Sequence, residues 1–107
     1  MCGIIGIATA LGARPSLTRG GVETLRDRMT HRGPDGAGMW DGRNVILGHR
    51  RLAVIDLTDA ASQPFGFGDR RLVYNGELYN DDQVRAELAA AGVAFQTRSD
   101  TETVFRA

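Results

Sequence analysis

Along the chain the spacing of apolar residues changes several times, and each change marks an element. Residues Cys2 to Ala8 are almost wholly apolar, with β-branched Ile4, Ile5 and Ile7. A run without alternation predicts a strand buried on both faces. After the turn-rich "GARPS", Val22, Leu25 and Met29 recur at i, i+3 and i+7, the apolar stripe of a helix starting near Thr18. "HRGPDGAG" carries a proline and three glycines and predicts a loop. "NVILGHRRLAVIDL" predicts a strand, an interruption at Gly48 and a second strand; "RRLVYNGELYN" predicts another strand entering a tight Asn75-Gly76 turn. Asn80 with Gln83 has capping-box spacing for a helix with Val84 and Leu88 on its inner face and Gly92 just past its end. Ser99 with Glu102 is a second box, opening a helix that reaches only about two turns by Ala107. Its Val104 and Phe105 are expected to meet an element outside this sequence.

No repeat or low-complexity linker interrupts this mixture, so 107 residues predict one domain of mixed strands and helices around a packed sheet. Basic and acidic residues balance at 13 each, which gives no pull toward nucleic acid or an anionic membrane. All the basic residues are Arg; without a lysine ε-amine, Schiff-base chemistry and a Walker-type phosphate loop are excluded. No apolar run approaches the roughly 20 residues of a membrane span. One cysteine makes no internal disulfide, and a reduced, cytoplasmic setting is expected.

Three polar groups fall at predicted strand ends or helix starts, where backbone and short side chains converge on ligands: Arg51 with the segment after it, Asn75-Gly76-Glu77, and Ser99-Asp100. Singly, each has a plainer role as surface residue, type I′ turn or helix-start charge. His31 and His49 lack metal-ligand spacing, so no metal site is predicted, and Cys2 alone reads equally well as a small core residue.

The motifs "MCGIIGI", "HRGPDGAG", "GHRRLAVIDL", "SQPF", "YNGELYN" and "SDTE", in this order and at about this spacing, make the chain similar to class II glutamine amidotransferase domains, which are N-terminal-nucleophile hydrolases. "HRGPDG" with "GHRRLAVIDL" and "YNGELYN" most resembles the glutaminase domain of glutamine-hydrolysing asparagine synthetases; sugar-phosphate and purine-pathway members usually differ after Arg32-Gly33 and carry His where this chain has Tyr74. The resemblance implies an α+β fold, a four-layer α/β/β/α sandwich left incomplete at its C-terminal side, with residues 1–107 forming part of a type 2 glutamine amidotransferase domain.

The same resemblance implies that Cys2 attacks the glutamine side-chain amide, releasing ammonia and leaving a thioester for water. Removal of Met1 would leave thiol and α-amine on one residue, titrating near ~8.5 and ~8, so the amine can take the thiol proton without a histidine. Asn75 and the Gly76 N–H are the implied oxyanion donors. Arg51 is the implied α-carboxylate fork, in preference to Arg50, whose place in the motif varies; Asp100 and Glu77 are to meet the α-ammonium, and Leu52, Ala53, Val54 and Ile55 to form the adjoining wall. Arg32 and Asp35 are expected to hold the loop around the nucleophile.

The implied partners are L-glutamine and a synthetase domain missing from this sequence. ATP and Mg belong to that domain, and no cofactor is expected in the 107 residues themselves. With later strands absent, strands near Val73 and Ile46 are expected to lack neighbours, leaving the chain marginally folded or self-associating as a homo-oligomer. Two functions fit: a glutaminase half-reaction, or a non-catalytic module that binds glutamine weakly or docks on another chain.

Overall fold

The computed structural model describes residues 1–107. Strand β1 (Gly3–Ala8), helix α1 (Arg19–Asp27), β2 (Gly36–Asp41), β3 (Val45–Arg51), a 3₁₀ turn at Asp59–Ala61, α2 (Asp81–Ala90) and α3 (Asp100–Arg106) follow in order. The three strands form one antiparallel sheet in the order β1-β3-β2. In the α+β architecture so formed, α1 packs against all three strands, and α2 and α3 contact one another. No helix is long and apolar enough to cross a membrane.

Thr18 caps α1 by accepting from the Gly21 N–H at 3.1 Å, as the sequence predicts. Its buried residues, however, are Val22 and Arg26; Leu25 is 39% exposed, and Met29 lies in the turn past the helix end. Arg26 can be buried because Asp27 at 2.8 Å, Glu23 at 3.4 Å and the Gly38 carbonyl at 3.4 Å satisfy its guanidinium. Gly48 does not interrupt β3. It sits opposite Ile5 and Met39, where a Cβ would come within 2.8 Å of the Ile5 side chain and 3.0 Å of Met39 Sδ, so glycine there leaves room for both neighbours. β1 is not buried on both faces, for it lies at the sheet edge and Ile4 is 44% exposed. Ile46 does not lack neighbours: it lies in the central strand, paired with Ile7 and Asp41, and the open edges belong to β1 and β2.

Beyond Arg51 the chain leaves the sheet instead of forming the predicted strand, and "RRLVYN" contributes only the Phe65–Leu72 bridge. The "HRGPDGAG" loop also ends early, since β2 begins at Gly36. Asn75-Gly76 is no type I′ turn, because positive φ is confined to Gly12, Gly66, Gly68 and Gly92. Gly92 does close α2, at φ +94°. The Asn80 box fails: Asn80 makes no side-chain cap, and Gln83 turns forward to Glu87 at 3.1 Å.

Ser99 does cap α3, accepting from the Thr101 N–H at 3.2 Å. Glu102 reaches past the cap to accept from the N–H groups of Gln96 at 3.0 Å and Thr97 at 2.6 Å. Burial alone would raise this carboxyl, but those N–H groups, the Thr97 hydroxyl and Arg106 outweigh it and hold it below its ordinary value. Phe105 finds its partners within the chain, in an edge-to-face triad with Phe65 and Phe67 at centroid distances of 5.5–5.6 Å.

Candidate active site

A cleft of about 450 Å³ opens where the start of β1, the end of β3, the Tyr74–Glu77 segment and the start of α3 converge. Such a volume suits a small polar molecule. Cys2, Arg51, Leu52, Val54, Ile55, Asn75, Gly76, Glu77 and Asp100 all line it. Of the residues implied for catalysis and glutamine binding, only Ala53 stands outside the lining; its N–H donates instead to Asp35 Oδ2 at 2.9 Å.

Cys2 precedes β1 by one residue, so sheet pairing of Gly3 with Arg50 carries its thiol to the end of β3. The Leu52 N–H donates to Cys2 Sγ at 3.3 Å, and Sγ lies 3.7 Å from the Leu52 carbonyl. Arg32 Nε donates to the Cys2 carbonyl at 3.3 Å, and the Asp35 N–H donates to the Arg51 carbonyl at 2.9 Å. The Arg32–Asp35 loop thus braces the backbone of Cys2 and of Arg51. Gly33 is needed within it, since a Cβ there would overlap the Arg50 carbonyl. Met1 also lines the cleft, and in this chain its carbonyl acylates the Cys2 nitrogen.

Strand alternation sends the two adjacent arginines to opposite faces of the sheet. Arg50 turns toward α1, donating to the Gly33 carbonyl at 3.0 Å and meeting Asp27 at 3.4 Å. Arg51 turns toward the cleft, where its guanidinium donates to the carbonyls of Thr58, at 2.7 Å, and Asp56. Those two bonds fold the Leu52–Thr58 loop back over the strand end.

Asp100 is buried in the first turn of α3, and its Oδ2 accepts from the Leu78 N–H at 2.9 Å. Tyr74 lies against Gly76, whose absent Cβ would come 2.9 Å from the phenol oxygen. Burial, followed by the negative charges of Asp100 and Glu77, raises the Tyr74 phenol above its ordinary value and keeps it protonated.

The sequence reading passed over Asp56, Gln63, Tyr79 and Thr101, which also line the cleft. Asp56 joins two loops: it accepts from the Thr58 hydroxyl at 2.6 Å and N–H at 2.9 Å, and from the Arg98 N–H at 2.9 Å. These bonds, the Thr58 hydroxyl foremost, lower its carboxyl to about 2. The Asp56-Leu57-Thr58 spacing is an Asx-turn signal that was legible in the sequence.

Neither histidine lines the cleft. His31 is exposed. His49 is wholly buried opposite Ile4 and Gly38, with neither ring nitrogen in a well-formed hydrogen bond. Burial, opposed by the nearby Tyr74 backbone and assisted by the Arg51 charge, lowers it to about 4, so the ring is neutral.

Across residues 1–107 the chain matches the model of a glutamine amidotransferase domain. It is 40% identical over 87 residues to asparagine synthetase [glutamine-hydrolyzing] 3 of Bacillus subtilis, an alignment covering 78% of this chain and 14% of that protein. The probable asparagine synthetase [glutamine-hydrolyzing] of Dictyostelium discoideum is 38% identical over 97% of this chain and 19% of its own length. Asparagine synthetase B [glutamine-hydrolyzing] of Escherichia coli is 37% identical, again over 97% of this chain and 19% of that protein. The chain therefore spans less than a fifth of the length of these relatives.

Proposed function

We infer the reaction from one premise: the chain belongs to the glutamine amidotransferase domain family. The proposed reaction is hydrolysis of L-glutamine to glutamate and ammonia. The observation that carries this reading is the gathering of Cys2, Arg51, Asn75, Gly76 and Asp100, far apart in sequence, around one cleft. With Met1 removed, the α-amine of Cys2 takes the thiol proton and sulfur adds to the side-chain amide carbon. Asn75 and the Gly76 N–H stabilise the oxyanion; the C–N bond then breaks, ammonia leaves with the transferred proton, and water cleaves the thioester. Arg51 and Asp100 hold the α-carboxylate and α-ammonium at the far end, Asp100 through the oxygen that does not bond Leu78.

The relatives are named glutamine-hydrolysing asparagine synthetases, which supports a further step in which the ammonia serves asparagine synthesis on a synthetase domain, the proposed acceptor being an ATP-activated aspartate. ATP and Mg would serve that domain, and no residue of this chain is assigned to either. The four-layer sandwich belongs to the same reading, and so does a cytoplasmic setting. A second reading, a non-catalytic module that binds glutamine weakly or docks on another chain, is favoured by the engagement of Arg51 with the Asp56 and Thr58 carbonyls, which competes with a ligand carboxylate.

Incubating Met1-free chain with L-glutamine and measuring ammonia and bound ligand separates them. Ammonia release supports the first reading, saturable binding without release the second. Neither binding nor release overturns both as readings of a glutamine site.

A further inference from the structure

We propose that Gln63, in the otherwise unassigned "SQPF" motif, is a positioning residue that holds the Asn75-Gly76 segment and the start of α3 in register. Gln63 is 9% exposed and both ends of its amide are bonded. Oε1 accepts from the Tyr74 N–H at 2.6 Å, and Nε2 donates to Thr101 Oγ1 at 3.1 Å. The orientation follows from the partner: a backbone N–H offers only a proton, so oxygen must face Tyr74. At the other end of the same five residues, the Leu78 N–H donates to Asp100 Oδ2 at 2.9 Å. The first and last amides of Tyr74–Leu78 are thus pinned by Gln63 and Asp100, and Gln63 is itself bonded to the residue after Asp100. These bonds close a ring around Asn75 and Gly76.

The ring is anchored on the sheet. The Gln63 carbonyl packs on Gly38 of β2 where any Cβ would overlap it, and Pro64 Cδ would stand 3.2 Å from that Cβ. Gln63 lines the cleft, yet both polar ends of its side chain are engaged with protein, so it acts through the groups it positions. One side chain that accepts from the Tyr74 N–H and hydrogen-bonds the Thr101 hydroxyl is what the two partners require. Glutamate can keep both links, with the Thr101 hydroxyl turned to donate; methionine keeps the bulk and neither link.

This role rests on the glutaminase reading, so its test has an arm that does not. In Met1-free chain, Gln63→Met is expected to speed amide exchange at Tyr74 by about tenfold or more while the amides of β3 keep their protection. In glutamine hydrolysis it is expected to lower kcat about 10- to 100-fold and to raise KM, because both the oxyanion donors and Asp100 lose their reference. Thr101→Val is expected to raise KM more than it lowers kcat, and Gln63→Glu to recover most of the methionine variant's loss. Unchanged Tyr74 exchange in Gln63→Met overturns the proposal whether or not the parent hydrolyses glutamine, and so do kcat and KM within about twofold of the parent. If Gln63→Met fails to fold, Thr101→Val and Gln63→Glu decide: a glutamate variant that loses Tyr74 protection, or a Thr101→Val that changes neither constant, overturns it. A parent without turnover but with Tyr74 exchange sensitive to Gln63 removes the reaction and leaves the ring.

Discussion

The thiol of Cys2 lies against the backbone of Leu52, receiving its N–H at 3.3 Å with the carbonyl 3.7 Å away. Leu52 directly follows Arg51, so the candidate nucleophile and the candidate carboxylate fork are tied to adjacent residues at one strand end. A shift of the β1 register by one residue would separate them and send Cys2 to the other face.

Because Met1 acylates the Cys2 nitrogen, turnover is expected only after its removal. N-terminal mass analysis alongside ammonia release checks this; hydrolysis by chain still bearing Met1 would show that the amine is not the base. Cys2→Ala is expected to abolish turnover and leave glutamine binding within a few-fold, since Arg51 and Asp100 do not act through sulfur.

Arg51→Ala is expected to raise KM far more than it lowers kcat, since a carboxylate contact is made equally in ground and transition states. It should also lower the melting temperature, because the Asp56 and Thr58 carbonyls lose their donor. Asn75→Ala is expected chiefly to lower kcat, by about 10²- to 10³-fold for one oxyanion donor. Matching effects of the two substitutions on both constants would undo this division of roles.

His49 sets a pH dependence of stability. Its folded value of about 4 lies below the ordinary 6.5, so between them the unfolded chain binds the extra proton. The contribution of the neutral His49 to stability is complete above about 6.5 and is lost as pH falls through about 4. Melting temperatures across that range are expected to decline on acidification, and His49→Leu to flatten the slope. An unaltered slope in that variant would assign the effect elsewhere.

Asp56 acts lower on the scale. Its carboxyl is held at about 2 against an ordinary 3.8, so its contribution is complete above the ordinary value and disappears as pH falls through about 2. Asp56→Ala leaves the Arg98 and Thr58 N–H groups without their acceptor and is expected to cost about 1–2 kcal/mol at neutral pH. Denaturant unfolding of the two chains at pH 7 measures it, and equal midpoints would contradict it.

Gly38→Ala is a packing test. The new methyl would overlap the Gln63 backbone carbonyl, which cannot rotate aside as a side chain would, so the cost should reach or exceed the usual range of about 1–3 kcal/mol for overpacking. A melting temperature equal to the parent's would mean that the 62–64 segment yields without cost.

What local chemistry decides was legible in the sequence. The Thr18 and Ser99 caps need only a hydroxyl beside a free N–H, and Gly92 only a position that must take positive φ. The motif residues around Cys2, Arg51, Asn75 and Asp100 could be listed, though not brought together, because their distances depend on strand pairing between positions dozens of residues apart. Tertiary packing settled the rest. Gly48 stays within a continuous strand because the Ile5 and Met39 side chains occupy the space that a Cβ there would need. Arg26 takes an inner position because Asp27, Glu23 and a strand carbonyl neutralise it there. The segment after Arg51 abandons its β-branched strand pattern because its carbonyls satisfy the Arg51 guanidinium, and Asn75-Gly76 forgoes its turn because Gln63 and Asp100 bond the amides on either side. In each case a hydrogen bond, ion pair or close contact in the folded chain outweighed a local preference worth about 1 kcal/mol or less.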